Sequence, residues 1–215
     1  ADVASGSDGG STVSGTEPLL SALADGLSVK VESPSGLLPS GLEIVTSNAQ
    51  ELPRDAAAIA SPTSVGRAAL NVPAQIVSTR GALVNRPRFV TRAQWGADES
   101  MRDQDPDIAS GIIAGFIHHT ATTNRYSASQ GPAQMRNLYA YFTQGLKYRD
   151  MGYSFLVDKY GTVYEGRSGC PRDPVAAANC DGPSMPAIGG HTSGMNTKTF
   201  AVSVIGNYHA AKPTT

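Results

Sequence analysis

The first 88 residues of this chain contain no aromatic residue. All five Phe, all eight Tyr and the single Trp lie at or beyond Phe89. Aromatic side chains bury more apolar area than other residues and dominate protein cores. We therefore place the packed domain in the C-terminal part of the 215-residue chain, which is long enough for one core and a small second module.

An excess of charge of one sign is also missing. The chain has 17 Lys and Arg against 18 Asp and Glu, and its formal net charge is −1. Without a run of basic residues, binding to nucleic acid is not expected. No stretch approaches the roughly 18 apolar residues of a membrane-spanning helix. Residues 1–6 lack the basic and apolar regions of an intact signal peptide.

Cysteine is scarce, with only Cys170 and Cys180, which lie in a segment rich in Pro, Ala and Gly. A disulfide between them would close this segment into a loop and would fit an oxidising compartment. Two reduced thiols are the alternative, because spacing alone does not establish a bond. The chain has no Cys-x-x-Cys motif, which excludes metal and redox sites of that type.

The N-terminal part divides into three segments. Residues 1–15 are rich in Gly, Ser and Asp and are predicted to be flexible. Residues 16–47 contain two short alternating runs separated by Pro and Gly, which predicts two strands. Because two strands cannot bury a face alone, this segment is interpreted as the remnant of a β module. Residues 48–85 show no sustained period and are predicted to be an interdomain linker, with a propeptide as the alternative.

Residues 86–215 alternate between strand and helix patterns. Strands are predicted over residues 112–120, 153–158, 162–164 and 199–205, and an amphipathic helix over residues 130–144. The second and third strands are separated by a short turn and predict a β-hairpin. This order indicates the α/β class, with a mixed β-sheet and flanking helices.

Two motifs carry groups suited to chemistry. Phe116-Ile117-His118-His119-Thr120 places two imidazoles at the end of an apolar run, where a strand presents neutral nitrogen ligands. A histidine at a strand end is also often a satisfied structural group. Gly152-Tyr153-Ser154-Phe155 offers a phenol on another strand, with a core tyrosine as the alternative.

These motifs, with Gly190-His191-Thr192-Ser193-Gly194-Met195-Asn196 and residues 202–208, resemble the peptidoglycan recognition protein and N-acetylmuramoyl-L-alanine amidase family. Residues 86–100 resemble the entry motif of its actinobacterial branch. Trp95 within this motif is interpreted as a packing anchor. The resemblance implies the amidase fold over residues 86–215, preceded by a partial β module and a linker, in a chain truncated at both ends.

The resemblance also assigns roles to residues. His118 matches the family's first zinc ligand, and His119 is interpreted as a flanking residue. Tyr153 matches the tyrosine that lies near the metal-bound water and donates to the developing oxyanion. His191 and Asn196 match residues that line the groove for the stem peptide, with a merely turn-stabilising loop as the alternative.

The chain departs from the family pattern in two places. Residues 168–189, which include both cysteines, form an insertion that is either a wall of the groove or a surface ornament. The family's second zinc histidine is followed by a Cys or Asp, and His209 has neither after it. The remaining ligands for Zn²⁺ are therefore expected beyond Thr215.

The expected function is zinc-dependent hydrolysis of the N-acetylmuramoyl–L-alanine amide bond in cell-wall remodelling or lysis. The resemblance implies a secreted or cell-wall location and peptidoglycan, as muramyl peptide, as the partner. A non-catalytic peptidoglycan-binding module and an inert fragment are the alternatives. Because one histidine cannot hold a catalytic zinc, we expect this chain alone neither to retain stoichiometric zinc nor to release stem peptide.

Overall fold

The computed structural model describes residues 49–62, 87–172 and 187–212. The segments predicted to be flexible, over residues 1–15, and to form a β module, over residues 16–47, lie outside the described residues.

A four-stranded sheet forms the centre of the described fold. Its strands are β1 (Ala114–His119), β2 (Phe155–Val157), β3 (Val163–Glu165) and β4 (Thr199–Val204). The order across the sheet is β1-β4-β2-β3. Strand β4 runs parallel to both of its neighbours, and β3 pairs antiparallel with β2. The predicted mixed sheet and hairpin are confirmed, and β1 forms an edge within the described part of the sheet.

The described residues also form three α-helices: α1 (Asp55–Ala60), α2 (Arg92–Trp95) and α3 (Gly131–Ala140). Pro132 stands in the first turn of α3, where a missing backbone N–H costs nothing. At its C-terminal end α3 continues into a π-helical turn, Tyr141–Gly145. The predicted helix over residues 130–144 is therefore present, but its last turn is wider than an α-helix. Short 3₁₀ turns lie at Glu99–Met101, Ala128–Gln130 and Asn196–Lys198.

The core combines side chains of α3 with those of one sheet face. The four apolar residues predicted for the helix face are all buried, and they cluster with sheet residues and with Trp95: Met135, Leu138, Tyr139, Phe142, Leu156, Tyr164 and Ile205. Trp95 is completely buried, and its indole N–H donates to the carbonyl of Glu165 (2.8 Å). The prediction that Trp95 is a packing anchor is confirmed.

Residues 49–62 differ from the linker predicted over residues 48–85. They contain α1, in which Asp55 is 1% exposed and Ala58 belongs to the core cluster. A six-residue Ala-rich helix is too short to show a hydrophobic period. Its Asp55 pairs with Arg136, about eighty positions later in the chain, so the local sequence contains no sign of this packing. The rest of the predicted linker, residues 63–85, lies outside the described residues.

Candidate functional site

His118 lies on the face of β1 that is turned toward the helices. Its register partner in β4, Ser203, is fully buried, and Phe116 two residues earlier is opposite the equally buried Ala201. Because side chains alternate along a strand, Phe116 and His118 share this face while Ile117 lies on the other. Ile117 is 84% exposed. The edge position of β1 leaves His118 only partly covered.

Several predicted site residues meet at His118. The ring centroids of His118 and Tyr153 are 5.5 Å apart, and those of His118 and His191 are 6.1 Å apart. Phe116 borders both imidazoles, at 6.1 and 6.4 Å. We call Phe116, His118, Tyr153, His191 and Thr192 the His118 cluster. Residues from three distant segments thus form one site.

Thr192 joins the two imidazoles of the cluster. Its Oγ1 lies 3.3 Å from Nε2 of His118 and 3.1 Å from Nδ1 of His191. From the motif, the loop that contains Thr192 was expected at most to stabilise a turn. The only signal that could have pointed to it was its position directly after His191.

Asn196 supports the cluster through the backbone. Its Oδ1 accepts hydrogen bonds from the N–H groups of His191 (3.0 Å) and Thr192 (2.8 Å). The side chain is buried, with the residue 3% exposed. The structure therefore places Asn196 in the turn-stabilising role that was the alternative to ligand contact. It fixes the backbone that carries His191 and Thr192.

Tyr153 is oriented by packing on both sides. Besides His118, its ring meets Phe142 edge-on at 5.5 Å. Phe142 belongs to the π-helical turn, a distortion that often occurs at functional sites. A Cβ atom at Gly152 would lie 2.7 Å from the Phe142 ring, so only glycine fits before Tyr153.

Burial controls the charge of the two imidazoles. It lowers the pKa of His118, and the neighbouring His119 lowers it further. Burial, with a smaller contribution from His118, lowers the pKa of His191 to about 4. Both rings are therefore neutral near pH 7, and each carries one protonated and one bare nitrogen.

His119 has a different environment on the opposite face of β1. Its Nδ1 accepts a hydrogen bond from the backbone N–H of Tyr208 (2.8 Å), and its ring meets His209 edge-on at 4.6 Å. In the neutral ring the proton is then on Nε2, so neither nitrogen has a lone pair free for a metal. This geometry agrees with the interpretation of His119 as a flanking residue.

The described residues contain no group of three or more His, Cys, Asp or Glu side chains that could hold a metal ion. His118 and His191 are the two imidazoles of the cluster, and one nitrogen of each faces Thr192. A catalytic zinc needs three protein ligands and an open position. Residues 49–62, 87–172 and 187–212 therefore do not form a zinc site by themselves.

A buried ion network supports the segment that precedes Tyr153. Arg92 is 4% exposed, and its guanidinium pairs with Asp150 (3.0 Å) and Glu99 (2.8 Å). Asp150 accepts hydrogen bonds from the N–H groups of Met151 (2.7 Å) and Ser168 (2.9 Å). The network thus holds both the approach to Tyr153 and the start of the 168–189 insertion. Sequence reasoning missed it, because no local pattern marks a buried arginine.

Glu165 is also buried beside this network, and its Oε2 accepts a hydrogen bond from the backbone N–H of Arg92 (2.9 Å). Burial raises the pKa of Glu165 to about 7, an effect that Arg92 only partly opposes. Glu165 is therefore a buried carboxyl group that titrates near neutral pH.

The insertion is anchored at its described start. Arg102 donates to the carbonyl groups of Cys170 (2.8 Å) and Pro171 (3.1 Å). Cys170 is disulfide-bonded. Cys180, the other cysteine of the chain, lies outside the described residues, as does the middle of the insertion.

Comparison with known protein families assigns the second half of the chain. Residues 111–215 match the family model described as N-acetylmuramoyl-L-alanine amidase. This part of the chain belongs to the amidase family. The match includes β1, α3, β2, β3, β4 and every residue of the His118 cluster.

Relatives of this amidase domain include animal proteins. The chain is 28% identical to peptidoglycan-recognition protein SC2 of Drosophila simulans over 121 residues, which are 56% of each protein. It is 30% identical to human N-acetylmuramoyl-L-alanine amidase over 136 residues, 62% of this chain and 20% of the human protein. The structure of bumblebee PGRP-SA aligns with 27% identity over 60% of this chain and 66% of that one, with a TM-score of 0.47.

The chain spans about half the length, or less, of these curated relatives. Within the described residues, none of the helices has the length and apolar character needed to cross a membrane.

Proposed function

We propose that this chain belongs to a peptidoglycan amidase that hydrolyses the bond between N-acetylmuramic acid and L-alanine. The observation that carries the proposal is the meeting of His118, Tyr153 and His191 in one partly open cluster. The amidase family match supports it. The relatives are named for peptidoglycan recognition and for this amidase activity, which makes muramyl peptide the proposed substrate and partner.

His118 is the proposed first zinc ligand. Its lowered pKa keeps the ring neutral, so one nitrogen retains a lone pair at neutral pH. When bound, Zn²⁺ would supply an activated water and polarise the amide carbonyl. The other ligands would have to come from outside the described residues, because none of those residues completes a group of three.

Tyr153 is the proposed hydrogen-bond donor to the oxyanion. Its ring is fixed between His118 and Phe142, so the hydroxyl needs little reorganisation as negative charge develops on the carbonyl oxygen. A preorganised donor of this kind lowers the activation barrier by about 3 kcal/mol in other amide hydrolases. Removing the hydroxyl should therefore slow turnover without removing the metal ligand.

The His191–Thr192 turn is the proposed wall for the stem peptide. Asn196 holds this turn from behind, which keeps its position constant when a ligand binds.

We further propose that the domain spans residues 86–215 together with α1, that residues 16–47 belong to a preceding β module, and that the protein acts outside the cell or in the cell wall.

A non-catalytic peptidoglycan-binding module is the second candidate. The observation in its favour is that the described residues contain no three-ligand metal group. Such a module would use the same cluster to hold muramyl peptide without cleaving it.

One experiment separates the two functions. The protein, extended through the segment expected to supply the remaining zinc ligands, is incubated with muropeptides and Zn²⁺, release of stem peptide is followed by mass spectrometry, and binding to insoluble peptidoglycan is measured in parallel. The amidase proposal expects release that is lost in His118→Ala and lowered about 100-fold in Tyr153→Phe. His209→Ala, which changes an exposed histidine outside the cluster, is the control. Binding without release would favour the second candidate, and neither binding nor release would contradict both.

A further inference from the structure

Gly189, the last residue of the 168–189 insertion, lies against the imidazole of His191. A Cβ atom at position 189 would be 2.6 Å from Cδ2 and 3.2 Å from Nε2 of that ring. The opposite edge of the ring carries Nδ1, which lies 3.1 Å from Thr192 Oγ1. The imidazole is therefore held between Gly189 and Thr192, and the insertion reaches the His118 cluster at its last residue.

Gly189 is required for space and not for its backbone angle. Its φ is not positive, in contrast to that of Gly194 in the same loop (77°), so the backbone conformation is open to other residues. A Cβ atom at position 189 would also lie 2.7 Å from the carbonyl oxygen of Gly152. Heavy atoms that are not bonded pack about 3.5–4.0 Å apart. An alanine at this position must therefore displace either the backbone or the His191 ring.

The backbone around Gly189 is held on both flanks. On one side, the N–H of Ile188 donates to the carbonyl of Asp107 (2.8 Å). On the other side, the N–H of Gly190 donates to the carbonyl of Gly152 (3.0 Å). Movement of Gly189 would distort these backbone hydrogen bonds, whereas an imidazole ring turns about single bonds. The ring is therefore the part that moves.

A turned His191 ring would change its contacts within the His118 cluster. Its centroid now lies 6.1 Å from that of His118 and 6.4 Å from that of Phe116. The backbone of His191 would stay in place, because Asn196 accepts a hydrogen bond from its N–H (3.0 Å). The effect of a side chain at position 189 thus falls on the ring and leaves the turn intact.

We propose that Gly189 is a positioning residue for His191, because its missing side chain leaves the space that the imidazole needs to take its place in the cluster. The inference deepens the proposed function and rests on it for its catalytic meaning, since the His191–Thr192 turn is the proposed wall for the stem peptide. The position of the ring is a property of this chain and does not depend on zinc or on hydrolysis.

NMR of the isotope-labelled full chain tests the ring position directly. The chain contains only four histidines, so their ring signals can be assigned by substitution. The wild type should show a nuclear Overhauser effect between an Hα of Gly189 and Hδ2 of His191, because the Cβ direction of Gly189 points at Cδ2. It should also show effects between the rings of His191 and Phe116. A folded wild type without the Gly189–His191 effect would overturn the proposal.

Gly189→Ala should turn the ring in a folded domain. The Overhauser effects between His191 and Phe116 should fall several-fold, because their intensity decreases steeply with the distance between protons. Gly111→Ala is the matched control, since nothing lies within 4 Å of a Cβ atom at that position, and it should leave these effects unchanged. A folded Gly189→Ala protein with wild-type ring contacts would contradict the inference. If that variant does not fold, the wild-type spectrum still decides.

Kinetics of the protein extended through the remaining zinc ligands relate the ring to the stem peptide. Gly189→Ala should raise the KM for muropeptides about ten-fold with little change in kcat, because a binding wall is displaced, whereas Tyr153→Phe should lower kcat. If the protein binds without hydrolysis, the same ten-fold change is expected in the Kd for muropeptides. A fall in kcat with unchanged KM for Gly189→Ala would contradict the positioning of a binding wall.

A double variant checks that Gly189 acts through His191. The effects of Gly189→Ala and His191→Ala on muropeptide affinity should not add, because both change the same ring. Full additivity would contradict the inference. The inference and the proposed function fail separately: a wild type without the Gly189–His191 contact leaves amidase activity possible, and the expected ring contacts without hydrolysis remove only the amidase assignment.

Discussion

Asp55 of α1 and Arg136 of α3 form a two-pronged ion pair. The distances are 2.8 Å from Arg136 Nη2 to Asp55 Oδ2 and 3.0 Å from Nη1 to Oδ1. The same guanidinium donates to the carbonyl of Trp95 (2.7 Å), and Asp55 also accepts from the N–H of Leu52 (2.9 Å). The pair therefore connects the N-terminal helix to the core of the amidase domain.

Replacing Asp55 should destabilise the domain strongly. Asp55→Ala leaves the Arg136 guanidinium, whose side chain is 13% exposed, without its counter-ion. Breaking a buried pair in this way typically costs 3–5 kcal/mol, so we expect a loss of about 3 kcal/mol in the free energy of unfolding, measured by urea denaturation.

The matched control is Asp107→Ala. Asp107 pairs with Arg149 at 3.0 Å, but its side chain is 57% exposed, and exposed pairs contribute roughly 0–1 kcal/mol. Equal losses in the free energy of unfolding for the two variants would show that the docking of α1 does not stabilise the domain.

Limited proteolysis should distinguish α1 from the residues that follow it. Trypsin is expected to cleave after Arg67 or Arg80 before it cleaves after Arg54. Arg54 directly precedes the packed helix α1, whereas residues 63–86 contain no aromatic residue and two Gly. Mass spectrometry of the first fragments is the measurement. Early cleavage after Arg54 would be incompatible with docked α1.

We expect no free thiol at Cys170 or Cys180 in the non-reduced protein. Cys170 is disulfide-bonded, and Cys180 is the only other cysteine in the chain. Reaction of the unfolded, non-reduced protein with a thiol reagent should give no signal before reduction and two thiols after it. Two reactive thiols before reduction would disprove the pairing.

Glu165 should make the folded domain less stable as the pH rises from about 5 to 7. Burial raises the pKa of Glu165 from 4.5 to about 7, so the folded state binds a proton that the unfolded state releases. This contribution is complete below pH 4.5 and is lost as the pH rises through about 7. Its full size is about 3 kcal/mol.

The measurement is urea unfolding across this pH range for the wild type and for Glu165→Gln. His191, whose pKa burial lowers to about 4, has the opposite effect on stability over much of this range, so the contribution of Glu165 is the difference between the two proteins. Relative to Glu165→Gln, the wild type should become less stable as the pH rises, and this difference is the slope that Glu165 carries. Glu51→Gln, at an exposed glutamate, should keep it. Glu99 has the opposite tendency: burial alone would raise its pKa, but Arg92 and Arg102 hold it below the usual value. The effect of Glu99 on the free energy of unfolding is therefore expected at a lower pH than that of Glu165. A wild-type slope in Glu165→Gln would show that another group carries the dependence.

Local patterns predicted the elements of the amidase domain well. The alternation of residues 153–164 predicted the β2–β3 hairpin, and the helical spacing of Met135, Leu138, Tyr139 and Phe142 predicted α3 because each residue lies on one buried face. Local patterns did not predict α1, because the packing of this helix depends on an ion pair with Arg136, far along the chain. A contact of that kind leaves no trace in a short window of sequence.

The site shows the same division between local and distant information. Motifs pointed to His118, Tyr153 and His191, and the structure brings these three together. They did not show that Asn196 is buried behind the turn, or that Thr192 lies between two imidazoles. Those facts depend on how the segment before β4 packs against β1, which spacing in the chain does not encode.

The hydrogen bonds beside α1 have a mechanical consequence. Gln94 donates to the carbonyl of Ser61 (2.9 Å), and Arg88 donates to that of Pro62 (3.1 Å). The two ends of the stretch between Pro62 and Pro87 are thereby fastened to the same body. A pull exerted on the chain from its N-terminal side would be resisted by the hydrogen bond from the Ala49 N–H to Asn137 and by the ion pair of Asp55 and Arg136. The stretch between Pro62 and Pro87 would therefore bear no tension, and would not lengthen the connection, until those contacts broke.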